Sequence, residues 1–126
     1  EDIDKAIKDF GLTQSVDKPF SKLSMGMQKK VAMIAAFLGK PKLIVLDEPT
    51  NGVDTSGILS LKQYIRTAKE GGSVIVISSH ILDFVGNVSD SNIFLKGGSI
   101  AAVENCNKKL EERYQELYLG QVGQTV

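Results

Sequence analysis

The run Leu43-Ile44-Val45-Leu46-Asp47-Glu48-Pro49-Thr50 sets four consecutive aliphatic residues directly against two carboxylates and a proline. An unbroken aliphatic run of this length suits a strand of a parallel sheet, buried on both faces. Parallel sheets take their ligands beyond the carboxyl ends of the strands. Asp47 and Glu48 therefore fall where chemistry is expected. Adjacent acids are costly there unless a cation or a polarised water uses them. The pair points to metal-assisted phosphoryl chemistry.

A second aliphatic run, Val74-Ile75-Val76-Ile77, leads in the same way into Ser78-Ser79-His80. If the two strands lie side by side and parallel, two carboxylates and an imidazole converge on one edge. Aspartate can hold Mg²⁺ directly or through water. Glutamate can act as a general base toward an attacking water. Histidine can donate a hydrogen bond to a phosphate oxygen. A plainer alternative makes Asp47 and Ser79 caps for the helices that follow, with Pro49 at an early helical position. A third element, Leu23-Ser24-Met25-Gly26-Met27-Gln28, opens a helix with small residues at its tip. Unpaired backbone N–H groups and the helix dipole favour an anion there. Gly26 lets a phosphate approach closely and the Ser24 hydroxyl can donate to it; the alternative is an ordinary serine-capped helix.

The remaining segments frame these three elements. Ile3, Ala6, Ile7 and Phe10 at helical spacing, with acids ahead and Gly11 behind, predict a first helix. Residues 12–23, broken by Pro19, read as a connection with at most a short turn. The helix opened by Ser24 carries Val31, Ile34, Ala35 and Leu38 on one face and ends at Gly39-Lys40-Pro41. Between the strands, Ile58, Leu61, Ile65 and Ala68 predict a helix closed by Gly71-Gly72. After His80 come a helix with Ile81, Leu82 and Val85, then a hairpin of residues 92–96 and 99–103 around Gly97-Gly98. A terminal helix carries Leu110, Tyr114, Leu117 and Tyr118, and residues 120–126 are expected to fray. The alternation of helices and buried-type strands is half of a doubly wound α/β layout.

Composition narrows the function classes. Apolar residues make up 42% of the 126, enough for a packed core, so the chain is one domain or part of one. Lysine plus arginine balances aspartate plus glutamate at 15 each. Without a basic excess, nucleic acid is not an expected partner. The single cysteine, Cys106, excludes an internal disulfide framework and fits a reducing compartment. No signal-peptide pattern is present, and no apolar run approaches the roughly 20 residues that span a bilayer. The expectation is a soluble, cytoplasmic chain that reaches a membrane only through a partner.

The order of the elements resembles the nucleotide-binding domain of ABC transporters. Leu23-Ser24-Met25-Gly26-Met27 is similar to the family signature, residues 43–48 to its Walker B strand, and Asn51-Gly52-Val53-Asp54 to its D-loop. His80 resembles the switch histidine, and the resemblance runs from about Lys22 to Lys96. Met25, Met27 and Lys30 stand where glycine, glutamine and arginine are frequent. The resemblance implies an α/β fold with a partial P-loop NTPase-like parallel sheet flanked by helices, followed by a β-hairpin and a helix. It implies Asp47 in the Mg²⁺ shell, Glu48 as general base for ATP hydrolysis and His80 on the γ-phosphate. Ser24, Gly26 and Gln28 would face ATP held by an opposing subunit, and Asp54 would couple two sites across the dimer. The implied partners are a second ATP-binding subunit and a transmembrane transporter subunit.

A nucleotide-hydrolysing domain of this kind needs a P-loop, G-x-x-x-x-G-K-[ST]. Gly52 and Gly57 have the glycine spacing, but Ile58-Leu59 follows; Gly39-Lys40 has no glycine at the right distance before it. In the family the P-loop, the adenine-stacking aromatic and the Q-loop precede the signature. The chain is therefore expected to be the carboxyl-terminal half of an ABC ATPase domain: a helical signature region at 1–41, the Walker B to switch region at 42–104 and a terminal helix at 105–126. Alone, it is expected to be inactive. The alternative is the carboxyl-terminal lobe of a DNA-repair or chromosome-structure ATPase of the same superfamily, and a third reading is a non-catalytic module that only donates a signature face.

Overall fold

The computed structural model describes residues 2–106 and 109–120. They form two compact units, Glu1–His80 and Ile81–Val126. The division falls inside the 42–104 stretch that the motifs group together. The fraying expected over 121–126 lies outside the described residues.

The first unit is α/β. Its helices are α1 (Asp2–Asp9), α2 (Met25–Phe37) and α3 (Thr55–Glu70), and its strands β1 (Leu43–Asp47) and β2 (Val74–Ser78). The connection between α1 and α2 holds two short 3₁₀ turns, Thr13–Ser15 and Phe20–Lys22, where at most one was expected. The strands pair in parallel, with Ile44 opposite Ile75, Leu46 opposite Ile77 and Asp47 opposite Ser78. α3 is the crossover that parallel neighbours require. α2 packs on β1, α3 on β2, and the two helices on each other.

The covering is one-sided, which corrects the expectation of strands buried on both faces. Ile44 and Leu46 are buried, whereas Leu43, Val45, Val74 and Val76 on the opposite face are 58%, 66%, 62% and 51% exposed. Side chains alternate along a strand, so helices packed against one side reach only every second residue. A second correction concerns α2. Of its expected face only Ile34 is buried; Lys30 and Met33 are the other buried positions, and Ala35 and Leu38 are exposed. From Val31 to Phe37 the helix is apolar on every side, and Val31, Ile34 and Leu38 line an open apolar groove with Ile3, Ile7 and Leu12.

The unit's core gathers Phe10, Leu12, Met33, Ile44, Leu61 and Ile65, with Leu61 wholly inaccessible to solvent. Tyr64 joins three helices. Its ring lies 5.2 Å from that of Phe10 and 5.7 Å from that of Phe37. Its hydroxyl donates to Asp9 Oδ2 at 2.8 Å, while Ser60 Oγ donates to the Asp9 carbonyl at 2.6 Å. α1 is thereby stitched to α3.

The second unit holds α4 (Leu82–Val88), β3 (Ser91–Lys96), β4 (Ser99–Asn105) and α5 (Leu110–Tyr118). Ile81 precedes α4 instead of lying within it, and Phe84 is the residue that the helix buries. β3 and β4 form the expected antiparallel hairpin, turned by Gly97 and Gly98 at φ 58° and 78°. Two successive positive φ values are what a primed turn demands, and glycine meets them without steric cost. In α5, Leu110 is buried and Tyr114 stacks on Tyr118 at 4.4 Å. Arg113 pairs with Glu104 at 2.6 Å, tying α5 to the end of β4. Among the described residues no helix is long and apolar enough to cross a membrane.

Burial, and then Asp9, pushes the Tyr64 phenol from about 10 up to about 12. A phenol whose pKa rises on folding contributes stability that is fully present below its unfolded value and is lost as pH climbs through the folded one. Tyr64→Phe should cost ~1 kcal/mol at neutral pH, as for a lost hydrogen bond. Denaturant melts at neutral and alkaline pH should show the gap from wild type narrowing as the pH passes 10; a gap of constant size would contradict the role given to Tyr64.

Candidate functional site

The parallel register brings the two polar strand ends together. Ser78, last residue of β2, donates from its hydroxyl to Asp47 Oδ1. The Glu48 N–H reaches the Ser78 carbonyl and the Ser78 Oγ, each at 3.0 Å, extending the ladder one residue beyond β1. Glu48 then turns with φ 44°, in the left-handed region that non-glycine residues rarely adopt. Its carboxylate meets His80 Nδ1 at 3.0 Å through Oε2 and 3.1 Å through Oε1. Asp47, Glu48 and His80, expected to converge, do so on one exposed edge.

The contact constrains the imidazole. With Nδ1–H directed at the carboxylate, Nε2 of a neutral ring is an acceptor, and it donates only when both nitrogens carry protons. A phosphate contact through Nε2 is then open to the doubly protonated ring. A contact through Nδ1 requires that atom to leave Glu48.

The capping alternative for Asp47 does not hold. The helix after β1 begins at Thr55, and its N-cap is Asp54, whose carboxylate accepts from the Gly57 N–H at 3.0 Å. Pro49 lies in the turn before it and not in a helix. At α4 the N-cap position is Ile81, with no side-chain cap bond.

The tip of α2 is built as expected at Ser24 and differently at Gly26. Ser24 is the N-cap and accepts from the Met27 N–H at 3.2 Å. At Gly26 a Cβ would sit 2.5 Å from the Gly52 carbonyl oxygen. The absent side chain is thus filled by the D-loop-like turn, and close backbone packing requires glycine there whether or not a phosphate is bound. Gln28 turns back on its own chain, donating to the carbonyls of Phe20 at 3.1 Å and Leu23 at 3.3 Å. Both its N–H groups are used in fixing the entry to α2.

Two lysines that the motifs did not mark as site residues join this tip to the turn after β1. Lys30 is 8% exposed and pairs with Asp54 Oδ1 at 3.0 Å. That ammonium, and then the Gly57 N–H, hold the Asp54 carboxyl below the usual carboxylate range. The pair's contribution is present above that range and is lost as pH falls through the lowered value. It is small, because the Asp54 side chain is 61% exposed. Lys29 Nζ donates to the Glu48 carbonyl oxygen at 2.9 Å. No sequence signal separates these lysines from solvent-facing ones; both contacts link positions far apart in the chain.

Thr50 adds a buried hydroxyl that has no hydrogen-bond partner among the described residues. Among the described residues no group of three or more His, Cys, Asp or Glu side chains clusters as a metal cage. Asp47 offers an exposed hard-oxygen ligand beside the Ser78 hydroxyl. That suits an ion such as Mg²⁺, which takes one or two carboxylates and completes its shell with water and substrate phosphates.

The 2.5 Å approach at Gly26 generates a direct test. Gly26→Ala must push the turn at Gly52 away and should destabilise the chain by ~1–3 kcal/mol, as overpacking does. An unchanged denaturation midpoint would contradict this packing role.

Comparison with known proteins adds the family. An ABC transporter family model matches residues 1–51. The lantibiotic transport ATP-binding protein SrtF of Streptococcus pyogenes is 35% identical over 112 residues, covering 89% of this chain and 48% of that protein. A solved ATP-binding subunit of an ABC transporter superposes with a TM-score of 0.83 at 28% identity, covering 92% of this chain and 54% of the other. cbiO1 from Clostridium perfringens, part of the ABC transporter complex cbiONQ, superposes with a TM-score of 0.63 at 32% identity, covering 94% and 49%. The chain spans about half the length of these relatives, and the family model, the relatives and the solved structures together support an ABC transporter ATP-binding domain.

Proposed function

We propose that this chain is the signature-to-switch part of an ATP-binding subunit that couples ATP hydrolysis to transport across a membrane. The observation that carries the reading is the contact of Glu48 with His80 at 3.0 Å, at the ends of two parallel strands and beside Asp47. In this reading Glu48 takes a proton from the attacking water. His80 hydrogen-bonds the terminal phosphate. Asp47 would hold Mg²⁺, which when bound neutralises phosphate charge. Ser24, Gly26 and Gln28 form the tip that faces ATP on an opposing ATP-binding subunit, and Asp54 links the two sites. SrtF's designation as a transport ATP-binding protein and cbiO1's as part of a transporter complex support a membrane-subunit partner and a peripheral position at the membrane. They favour this reading over a DNA-repair or chromosome-structure lobe.

The 126 residues contain no G-x-x-x-x-G-K-[ST] motif, so the segment alone should not turn over ATP. In a full-length subunit that carries it, Glu48→Gln should lower steady-state hydrolysis by roughly 10²–10⁴-fold, the range for loss of a general base. Nucleotide affinity should change little. Hydrolysis by the purified segment that Glu48→Gln abolishes would overturn the first expectation; a full-length Glu48→Gln subunit with wild-type turnover would overturn the second.

A further inference from the structure

Glu48 combines two backbone demands that oppose each other. It sits at φ 44° and is followed by Pro49. A residue before proline is driven toward extended geometry. A non-glycine residue in a sparsely populated region persists only when its surroundings over-determine it. On the amino side they do so through the N–H, which is shared between the Ser78 carbonyl and hydroxyl oxygens at 3.0 Å each. That fixes the entry to the residue. It does not fix the direction of the carbonyl, which rotates about the next bond.

The carbonyl has two partners. One is the Asn51 N–H at 3.3 Å, a long contact within the same turn. The other is the Lys29 ammonium at 2.9 Å, shorter, charged and half-buried. Charge-assisted bonds of this kind are the stronger ones. Lys29 also stands on a rigid support. It lies in α2, whose next residue, Lys30, is buried and tied to Asp54, and whose Gly26 packs against Gly52.

We infer that Lys29 is a positioning residue for Glu48: by holding the Glu48 carbonyl from α2 it keeps the residue in the left-handed turn that aims its carboxylate at His80. The ammonium engages the main chain and leaves the carboxylate to the imidazole. Removing it lets the residue relax toward the extended form that Pro49 favours, and the carboxylate swings away from the strand edge. The inference rests on the reading of Glu48 as the general base.

The test uses Lys29→Met, which keeps the aliphatic stem and removes the donor, with Lys29→Arg as the conservative variant. In a full-length subunit carrying this segment, Lys29→Met should lower kcat for ATP about tenfold with KM within about twofold, since displacing a catalytic group costs rate more than binding. Lys29→Arg should recover most of the rate. Unchanged kcat, a rise in KM alone, or Lys29→Arg as slow as Lys29→Met would overturn the inference. In the 126-residue chain, NMR should show Glu48 amide and His80 ring resonances moving in Lys29→Met while the Leu61 and Ile65 methyls stay in place; unmoved Glu48 and His80 resonances would overturn it independently of ATP. If Lys29→Met does not fold, Lys29→Leu, which also lacks a donor, is read by the same criteria. Glu48→Gln measured alongside separates the two claims: wild-type turnover in that variant sinks the general-base reading, and the resonances alone then decide whether Lys29 positions Glu48.

Discussion

The parallel pairing that sets Asp47 opposite Ser78 is the constraint on which the site depends. Because side chains alternate with a period of two, slipping one strand by a single residue would turn its aliphatic side chains to the wrong face. It would also separate the two polar ends. Burial of Ile44 and Leu46 under α2 and α3 holds the register from below. The hydrogen bonds from Glu48 N–H and Ser78 Oγ close it at the top. A sheet of two strands with one covered face thus delivers two carboxylates, a hydroxyl and an imidazole to one edge.

What lies behind that edge is less obvious than the edge itself. Three contacts from the first turns of α2 run to the turn after β1 and the start of α3: Gly26 against Gly52, Lys30 to Asp54 and Lys29 to Glu48. Gly57 belongs to the same seam, since a Cβ there would lie 2.8 Å from Lys30 Cε and from Asp54 Oδ1. The signature-like helix and the acid-bearing turn are therefore bound together by a close backbone approach, an ion pair and a carbonyl held by a charge.

The legible part of this chain was the local part. Aliphatic runs ending in polar residues, glycine pairs at turns and a serine ahead of a helix each declare an element within a few residues. Those signals placed the strands, the hairpin and the Ser24 cap correctly. Periodicity failed where everything was apolar. Val31-Ala32-Met33-Ile34-Ala35-Ala36-Phe37 gives no phase, so the face of Val31, Ile34, Ala35 and Leu38 that spacing suggests is not the buried one, which Ile34 shares with Lys30 and Met33. Leu43-Ile44-Val45-Leu46 likewise cannot distinguish one buried face from two. The roles of Lys29 and Lys30, the left-handed turn at Glu48 and the packing demand at Gly26 depend on segments meeting in space. No window of sequence contains them.

On the proposed function, Asp47, Glu48 and His80 serve one phosphate. The most direct measurement is a high-resolution structure of a full-length subunit carrying this segment, bound to Mg²⁺ and a non-hydrolysable ATP analogue. Asp47 is then expected in the Mg²⁺ shell, with a water held between the Glu48 carboxylate and the terminal phosphate and His80 in contact with that phosphate. A bound nucleotide whose terminal phosphate lies away from the Asp47 and Ser78 strand ends, with Glu48 and His80 facing solvent, would contradict the proposed function.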